Sequence, residues 1–252
     1  MSALADRLIE RCIALEVALL ATRSRLAAQT DGEALHDLRI VVRRLRSLLR
    51  PLRGLPGVDT LEAVSAELGR LSSPLRDLEV LIGELRGHGE HGAAAAREAA
   101  LRDGSLALLA DPALARLQHC LGLWPGLLRE AQREGLLGGL GKRVRRRLLR
   151  QQRRLAAALA DPAHDRHRLR ILVKRLRYAA EVWPQAPLAG QGELKAAQAA
   201  LGDWHDRLQW CLRAAGEGDL QGCLARWQDE LAAAERAADA ALLSLRTGCC
   251  AV

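Results

Sequence analysis

The chain has 252 residues, of which 49% are hydrophobic and 27% are charged, and this balance excludes a disordered protein. Helix-favouring Leu, Ala and Arg dominate while Phe is absent and Tyr occurs once, so the composition predicts an all-α protein. The formal net charge of +8 indicates a polyanionic partner. No apolar run approaches the ~20 residues of a membrane span, so no membrane partner is expected.

The first part of the chain carries the signals of four helices. Leucines at helical spacing predict one long helix over residues 3–28. Start and stop signals for three more helices follow, with caps at Asp31, at Asp59 with Glu62, and at Ser73 with Pro74, and a stop at Pro51. The last of these helices is expected to run to the glycine-rich stretch RGHGEHG.

The remainder of the chain repeats this order after less regular helices over residues 93–135 and a junction at GLLGGLG, residues 135–141. The predicted elements are a basic helix at 142–160, a cap at Asp161–Pro162, a helix ending at Pro184, helices near 193–200 and 203–215, and a closing helix at about 220–246. Breaks are also expected at Asp111–Pro112 and Trp124–Pro125. We therefore predict a single domain over residues 1–252, built of two helical halves at about 1–130 and about 136–252 that arose by duplication.

One basic stretch occurs twice, as HDLRIVVRRLR at residues 36–46 and as HRLRILVKRLR at residues 167–177. Eight of the eleven positions are identical. At about 100° per helical residue, one arc of about 80° holds the first ridge, which comprises His36, Arg39, Arg43, Arg46 and Arg50. The same arithmetic gives a second ridge of His167, Arg170, Lys174 and Arg177, with Tyr178 beside it. Apolar residues occupy the opposite face of each helix.

The two ridges are interpreted as a binding surface and not as an ordinary solvated face. A solvated face usually mixes charges of both signs, whereas like charges at helical spacing repel one another. Residues 142–177 contain fourteen Lys or Arg and two Asp, a net charge of +12 that exceeds that of the whole chain. Such a concentration destabilises the folded state unless an anion relieves it. A histidine at the same place in each ridge adds donors, and adds charge as the pH falls.

The compartment is expected to be the cytoplasm. The N-terminal sequence MSALADRLIER has early acids and no apolar core of a signal peptide. Six cysteines lack paired C-x-x-C spacing and are typical of reduced thiols, mostly in a core. The tail CCAV matches a prenylation box, but a four-residue match is frequent by chance.

The repeated stretches, together with two further motifs, resemble the CHAD domain family. H-x-x-R-x-x-x-R-R-L-R matches residues 36–46, and H-x-L-R-x-x-x-K-R-L-R-Y matches residues 167–178. The family's arginine–aspartate helix start is similar to PLRDLEVL at residues 74–81. Its L-K-x-x-Q-x-x-L-G-x-x-x-D pattern is similar to LKAAQAALGDWHD at residues 194–206, although His205 stands where the family often has a smaller polar residue. The stretch SSPL at residues 72–75 also lacks the Leu-Gly of that pattern.

This resemblance implies two antiparallel four-helix bundles with pseudo-two-fold symmetry and a basic groove or pore between them. It also implies non-enzymatic binding of inorganic polyphosphate and association with polyphosphate granules, with no cofactor. Transferred position by position, the implied binding residues are His36, Arg39, Arg43, Arg46, Arg76, His167, Arg170, Lys174, Arg177, Tyr178 and Lys195. The helical arc of the first ridge adds Arg50 to them.

Two other functions compete with this interpretation. Basic helices also bind nucleic acid, but the chain is only 2% aromatic and the ridges lack Asn and Gln, so only weak nonspecific binding at low salt is expected. A phosphate-chain-processing enzyme, or its accessory subunit, is the second alternative. The chain has no alternating glutamate motif and no P-loop glycine pattern, and we expect no catalysis.

Histidine pairs were considered as metal ligands. His88 and His91 lie in a glycine-rich stretch with Glu90, and His164 lies three residues before His167. Neither pair has a clear third ligand in the sequence, so no metal site is predicted.

Overall fold

The computed structural model describes residues 3–29, 31–163, 165–186, 188 and 190–249. Within these ranges the regular structure is entirely helical, which confirms the prediction of an all-α protein. The helices are α1 (Ala3–Ala28), α2 (Ala34–Leu49), α3 (Val58–Gly87), α4 (His91–Ala110), α5 (Pro112–Arg133), α6 (Leu140–Leu159), α7 (Arg166–Val182), α8 (Gln191–Ala214) and α9 (Leu224–Cys249). Short 3₁₀ turns at Arg50–Leu52 and Gly218–Cys223 precede α3 and α9.

The chain divides into two compact units, Met1–Val144 and Arg145–Val252, and the division falls within α6. In the first unit, α1 packs on α2 and α5, while α3 packs on α2, α4 and α5. The apolar faces meet in a core that includes Leu8, Leu19, Leu38, Leu45, Leu61, Leu68 and Trp124, each almost fully buried. In this arrangement α2 lies against α3, and Arg39 on the polar face of α2 contacts Ser72 and Ser73 of α3.

In the second unit, α8 packs on both α7 and α9. Its core includes Leu148 and Leu155 of α6, Leu169, Val173 and Leu176 of α7, Leu194 and Leu201 of α8, and Trp227 and Leu245 of α9. The buried positions on α7 recur at helical spacing, which is the pattern that the sequence of the second copy predicts.

The helix start predicted at Ser73–Pro74 is wrong, because α3 runs without a break through Pro74. The Ser72 hydroxyl donates to the Leu68 carbonyl oxygen at 2.8 Å, and the Ser73 hydroxyl donates to that of Gly69 at 2.9 Å. Both side chains therefore bond to the preceding helical turn instead of capping a new helix. As a result, Arg76 lies inside a helix and not at a helix start.

The break predicted near residues 200–203 is also wrong, because α8 is one helix from Gln191 to Ala214. Its buried residues Leu194, Ala197, Leu201 and Trp204 continue at helical spacing on both sides of Gly202. Burial of this continuous apolar face outweighs the cost of about 1 kcal/mol for a glycine inside a helix.

Pro125 does not end a helix either, since α5 continues to Arg133. Leu117, Leu121, Trp124 and Leu128 form one buried face across it, and the Trp124 indole donates to the Pro56 carbonyl oxygen at 3.2 Å. The break at Asp111–Pro112 is confirmed, because the Asp111 side chain caps α5 by accepting from the Ala113 amide at 2.8 Å.

The starts of three other helices differ from the predicted caps by a few residues. The helix α2 begins after Glu33 and not Asp31, whose carboxylate accepts from the Glu33 amide at 2.9 Å. Gly57, with a φ of 72°, is the N-cap of α3, and Asp59 lies in its first turn. Asp165, and not Asp161, caps α7 by accepting from the His167 amide at 2.8 Å.

None of the described helices combines the length and the apolar character that crossing a bilayer requires. Cys12 and Cys223 are buried, Cys120 and Cys211 are half-buried, and all four are free thiols. Burial raises the pKa of Cys12 to about 12, so this thiol stays neutral at physiological pH. Three of the four residues of the CCAV tail, and His164 of the second histidine pair, lie outside the described residues.

Candidate functional site

The first ridge lies on α2, on the side of the helix that borders α3. All five of its side chains, those of His36, Arg39, Arg43, Arg46 and Arg50, are half-buried. The opposite side of α2 is fully apolar and holds Leu38, Val41, Val42, Leu45, Leu48 and Leu49 in the core. The structure therefore gathers the five residues on one face, as the helical arc predicts, but covers part of each cationic side chain with protein.

Arg39 is held in place by neutral acceptors on α3. Its Nη1 atom donates to the hydroxyl oxygens of Ser72 and Ser73 at 3.0 and 3.1 Å, and more weakly to the Gly69 carbonyl oxygen at 3.4 Å. Each serine donates onward to a carbonyl oxygen of α3, so every group in this chain of hydrogen bonds is oriented. The guanidinium group is fixed in position while its charge is left uncompensated by any hydrogen-bonded carboxylate.

The electrostatic environment of Arg39 reflects this arrangement. Burial lowers its pKa; Asp77 acts in the opposite direction, while the positive charges of Arg76 and Arg43 lower the pKa further. The guanidinium still stays protonated at any physiological pH. Clustered and partly desolvated cations are unfavourable in the free protein, and a bound anion would relieve this cost.

Arg50, at the end of the first ridge, lies beside a carboxylate. Its Nε atom is 3.7 Å from Glu62 Oε1, and the side chain is 19% exposed. The same carboxylate accepts two hydrogen bonds from Arg53, at 2.5 and 2.6 Å. Burial is the largest single influence on Glu62 and acts to raise its pKa, but the hydrogen bond from Arg53 and the positive charges of Arg53, Arg50 and Arg46 together lower it. Glu62 therefore stays ionised and offsets charge at this end of the ridge.

Arg76 lies on α3, one helical turn beyond Ser72 and Ser73. Its Nη1 atom forms a hydrogen-bonded ion pair with Glu79, three residues on. Its positive charge acts on Arg39. Arg76 thus lies near the first ridge, and its own charge is paired with the Glu79 carboxylate.

The second ridge lies on α7, which packs on α8. Arg170, Lys174 and Arg177 are half-buried, whereas His167 near the start of the helix is exposed. The Arg177 Nε atom donates to the Gln198 side-chain oxygen, so α8 again supplies a neutral acceptor, although Glu181 lies 3.6 Å from its Nη2 atom.

Tyr178 and Lys195 have different settings within the second unit. The Tyr178 ring is buried, and the Arg177 guanidinium lies 4.2 Å from its centroid. Tyr178 therefore supports Arg177 by cation–π contact. Lys195, near the start of α8, is exposed.

His205 of α8 lies beside the second ridge. The sequence indicated this residue only as a departure from the family pattern. Its ring centroid lies 5.7 Å from that of His167, and its Nδ1 atom is buried without a hydrogen-bond partner in the described part of the chain. Burial lowers the pKa of His205 to about 4, and the charges of Arg170, His167 and Lys174 add to this effect in that order. The imidazole is therefore neutral within a cationic cluster.

The sequence signals for these neighbours are the two departures from the family motifs. His205 stands in LKAAQAALGDWHD where the family often has a smaller polar residue, and Ser72 and Ser73 lie in SSPL, the stretch that lacks the Leu-Gly.

Comparisons with known proteins bear on the whole chain. The family model described as CHAD domain matches residues 12–215. The crystal structure of the CHAD domain from the plant Ricinus communis is similar in fold, with a TM-score of 0.72 and 22% sequence identity. That similarity covers 99% of this chain and 92% of the plant chain. No curated protein matches the chain.

Proposed function

Because this chain belongs to the CHAD domain family, we propose that it binds inorganic polyphosphate, without chemical change, through its two cationic ridges. The binding residues are those of the two ridges, with Arg76, Tyr178 and Lys195 beside them. The internal duplication into two four-helix bundles and an association with polyphosphate granules form part of the same proposal. The repeated sequence supports the duplication. A superposition of the two units in an experimental structure tests whether they share one fold.

One observation carries the proposal: Arg39, in the first ridge, is oriented by uncharged acceptors, the hydroxyl groups of Ser72 and Ser73. Arg177 also donates to the neutral Gln198, although Glu181 lies 3.6 Å from its Nη2 atom. A carboxylate in these places would neutralise the guanidinium, as Glu62 does near Arg50. A neutral acceptor leaves the charge and the remaining N–H donors for an external anion.

Polyphosphate matches this chemistry because it is a linear polyanion that offers only phosphate oxygens. A row of fixed guanidinium groups can donate to successive phosphates without reading any other feature. Tyr178 contributes by holding the Arg177 guanidinium, and not by contacting the ligand, because its ring is buried. Arg50 and Arg76 contribute less than Arg39, because each has a carboxylate nearby.

The experiment is a competition at physiological salt. Labelled long-chain polyphosphate is bound to the protein and then displaced by unlabelled polyphosphate, duplex DNA or single-stranded DNA at equal phosphate concentration. Unlabelled polyphosphate is expected to displace the labelled chain at a much lower concentration than either DNA. The reason is that the ridges present hydrogen-bond donors for phosphate oxygens and no groups that recognise bases. Equal or better displacement by DNA would contradict the proposal.

A further inference from the structure

The helix α6 carries a cationic surface formed by residues that belong to neither ridge. Arg146, Arg150, Arg153 and Arg154 are all exposed, and all four belong to the second unit. At about 100° per residue they share an arc of about 100° on the side of α6 opposite Leu148 and Leu155. Those two leucines are fully buried, so the helix is docked by its apolar side and presents this arginine face to solvent.

The arginine face has no acidic residue beside it on its own helix. From residue 135 to residue 160 the sequence contains no Asp or Glu, and within the described structure none of the four guanidinium groups forms an ion pair or a hydrogen bond. Ordinary exposed helices alternate charges and gain i,i+4 pairs, whereas Arg146 and Arg150 repel one another at that spacing. A face that costs folding stability in this way is explained if it meets an anion.

The apolar side of α6 is already buried, so the helix cannot also insert that side into a lipid surface. The arginine face holds no aromatic residue for stacking on bases, and Gln151 and Gln152 point away from it on the helical wheel. What remains is a set of guanidinium groups that can donate hydrogen bonds to phosphate oxygens. They differ from the ridge arginines in being exposed, whereas the ridge arginines are half-buried.

We infer that the arginine face of α6 is a further polyphosphate-binding surface, which holds a stretch of polyanion of its own. The inference rests on the proposed function, since it assigns a second site for the same ligand class. A protein with two such surfaces joins two long chains, or two distant stretches of one chain. A ligand as short as tripolyphosphate occupies one surface at a time and joins nothing.

The test compares the wild type with the variant Arg146→Gln/Arg150→Gln/Arg153→Gln/Arg154→Gln. Titration with tripolyphosphate measures binding to the surfaces that each protein retains, and light scattering with long-chain polyphosphate measures cross-linking. The variant is expected to keep its tripolyphosphate affinity within about twofold, since the ridges are intact, and to lose most of the scattering. Circular dichroism and a thermal melt verify that the variant is folded.

A matched control removes the same charge from other exposed positions, as Arg7→Gln/Arg102→Gln/Arg129→Gln/Arg133→Gln. This control is expected to scatter like the wild type. Scattering by the α6 variant at the wild-type level, or an equal loss in the control, would overturn the inference. So would a wild type that binds long chains without scattering, or an α6 variant that loses only duplex DNA binding. Failure of the wild type to bind tripolyphosphate or long chains at all would instead overturn the proposed function.

Discussion

The imidazoles of His167 and His205 lie 5.7 Å apart, on two helices that pack together, and the two differ in their surroundings. His167 is exposed near the start of α7, whereas His205 is half-buried on α8 with its Nδ1 atom enclosed. The charged neighbours that act on His205 are Arg170, His167 and Lys174, all on α7. Any proton added to His205 therefore enters a site that is already cationic.

This relationship predicts a loss of stability in mild acid. The pKa of His205 is about 4 in the folded protein against an ordinary 6.5, so unfolding takes up a proton between these values. The free energy of unfolding therefore falls as the pH drops from about 6.5 to about 4, by on the order of 2 kcal/mol from this group. Urea titrations at pH 7 and pH 4.5 measure the fall, which should be smaller in His205→Ser. An equal fall in both proteins would contradict the assignment.

A second prediction follows for the liganded protein. A phosphate chain beside Arg170 and Lys174 raises the pKa of His205, because it offsets the charges that lower it. Binding near pH 5 should therefore take up a proton, and binding at pH 8 should not. Calorimetry in two buffers of different ionisation enthalpy measures this uptake. His205→Ser should remove most of it, and an unchanged uptake would show that another group is responsible.

The third prediction concerns the neutral acceptors of Arg39. The double variant Ser72→Ala/Ser73→Ala leaves the guanidinium unoriented and should weaken polyphosphate binding by about five- to tenfold. Ser65→Ala is the matched control, because its hydroxyl is also buried on α3 and donates to the Leu61 carbonyl oxygen at 2.6 Å. If both variants bind alike, the serines support the helix only and do not position the ridge.

Sequence reasoning predicted the all-helical fold and the shared face of the first ridge, because amphipathic spacing depends only on local geometry. It failed at Pro74 and Gly202, where helix-breaking residues lie inside α3 and α8. There the apolar face continues on both sides, and tertiary burial outweighs the local preference of one residue. The prediction that Asp161 caps α7 was also wrong. Asp165, four residues closer to the helix, carries the same carboxylate and caps it instead.

The neighbours of the ridges could be predicted less well than the ridges themselves. The roles of Ser72, Ser73 and His205 depend on which helix packs on which, and that is a property of the tertiary structure. The interaction of Arg50 with Glu62 joins residues twelve positions apart across a 3₁₀ turn, and no helical wheel places them together.

That interaction gives a fourth prediction. Glu62→Gln removes the carboxylate that two arginines share, and should lower the free energy of unfolding by on the order of 2 kcal/mol. Polyphosphate affinity should not fall, because Arg50 keeps its positive charge and loses the nearby negative charge of Glu62. Glu67→Gln is the control, since Glu67 pairs with Arg116 at the surface of the same unit and should cost well under 1 kcal/mol. Urea titration and calorimetry of both variants separate stability from binding.

The last prediction separates ridge from non-ridge charge on a single helix. Arg43 is half-buried within the first ridge, and its neighbour Arg44 is exposed at the edge of that face. Arg43→Gln should weaken polyphosphate binding by about tenfold and should reduce the slope of log affinity against log salt by about one, since one phosphate contact is lost. Its melting temperature should stay at or above that of the wild type, because repulsion within the unliganded ridge is relieved.

Arg44→Gln carries the same change of charge and should alter both affinity and slope much less. Arg170→Gln and Lys174→Gln should behave like Arg43→Gln if the second ridge acts in the same way. Calorimetric titrations over a range of salt concentrations, with thermal melts of the same samples, measure all of these quantities. If Arg43→Gln lowers the melting temperature while the folded fraction binds as the wild type does, then Arg43 supports the fold and the ridge does not bind the ligand through it.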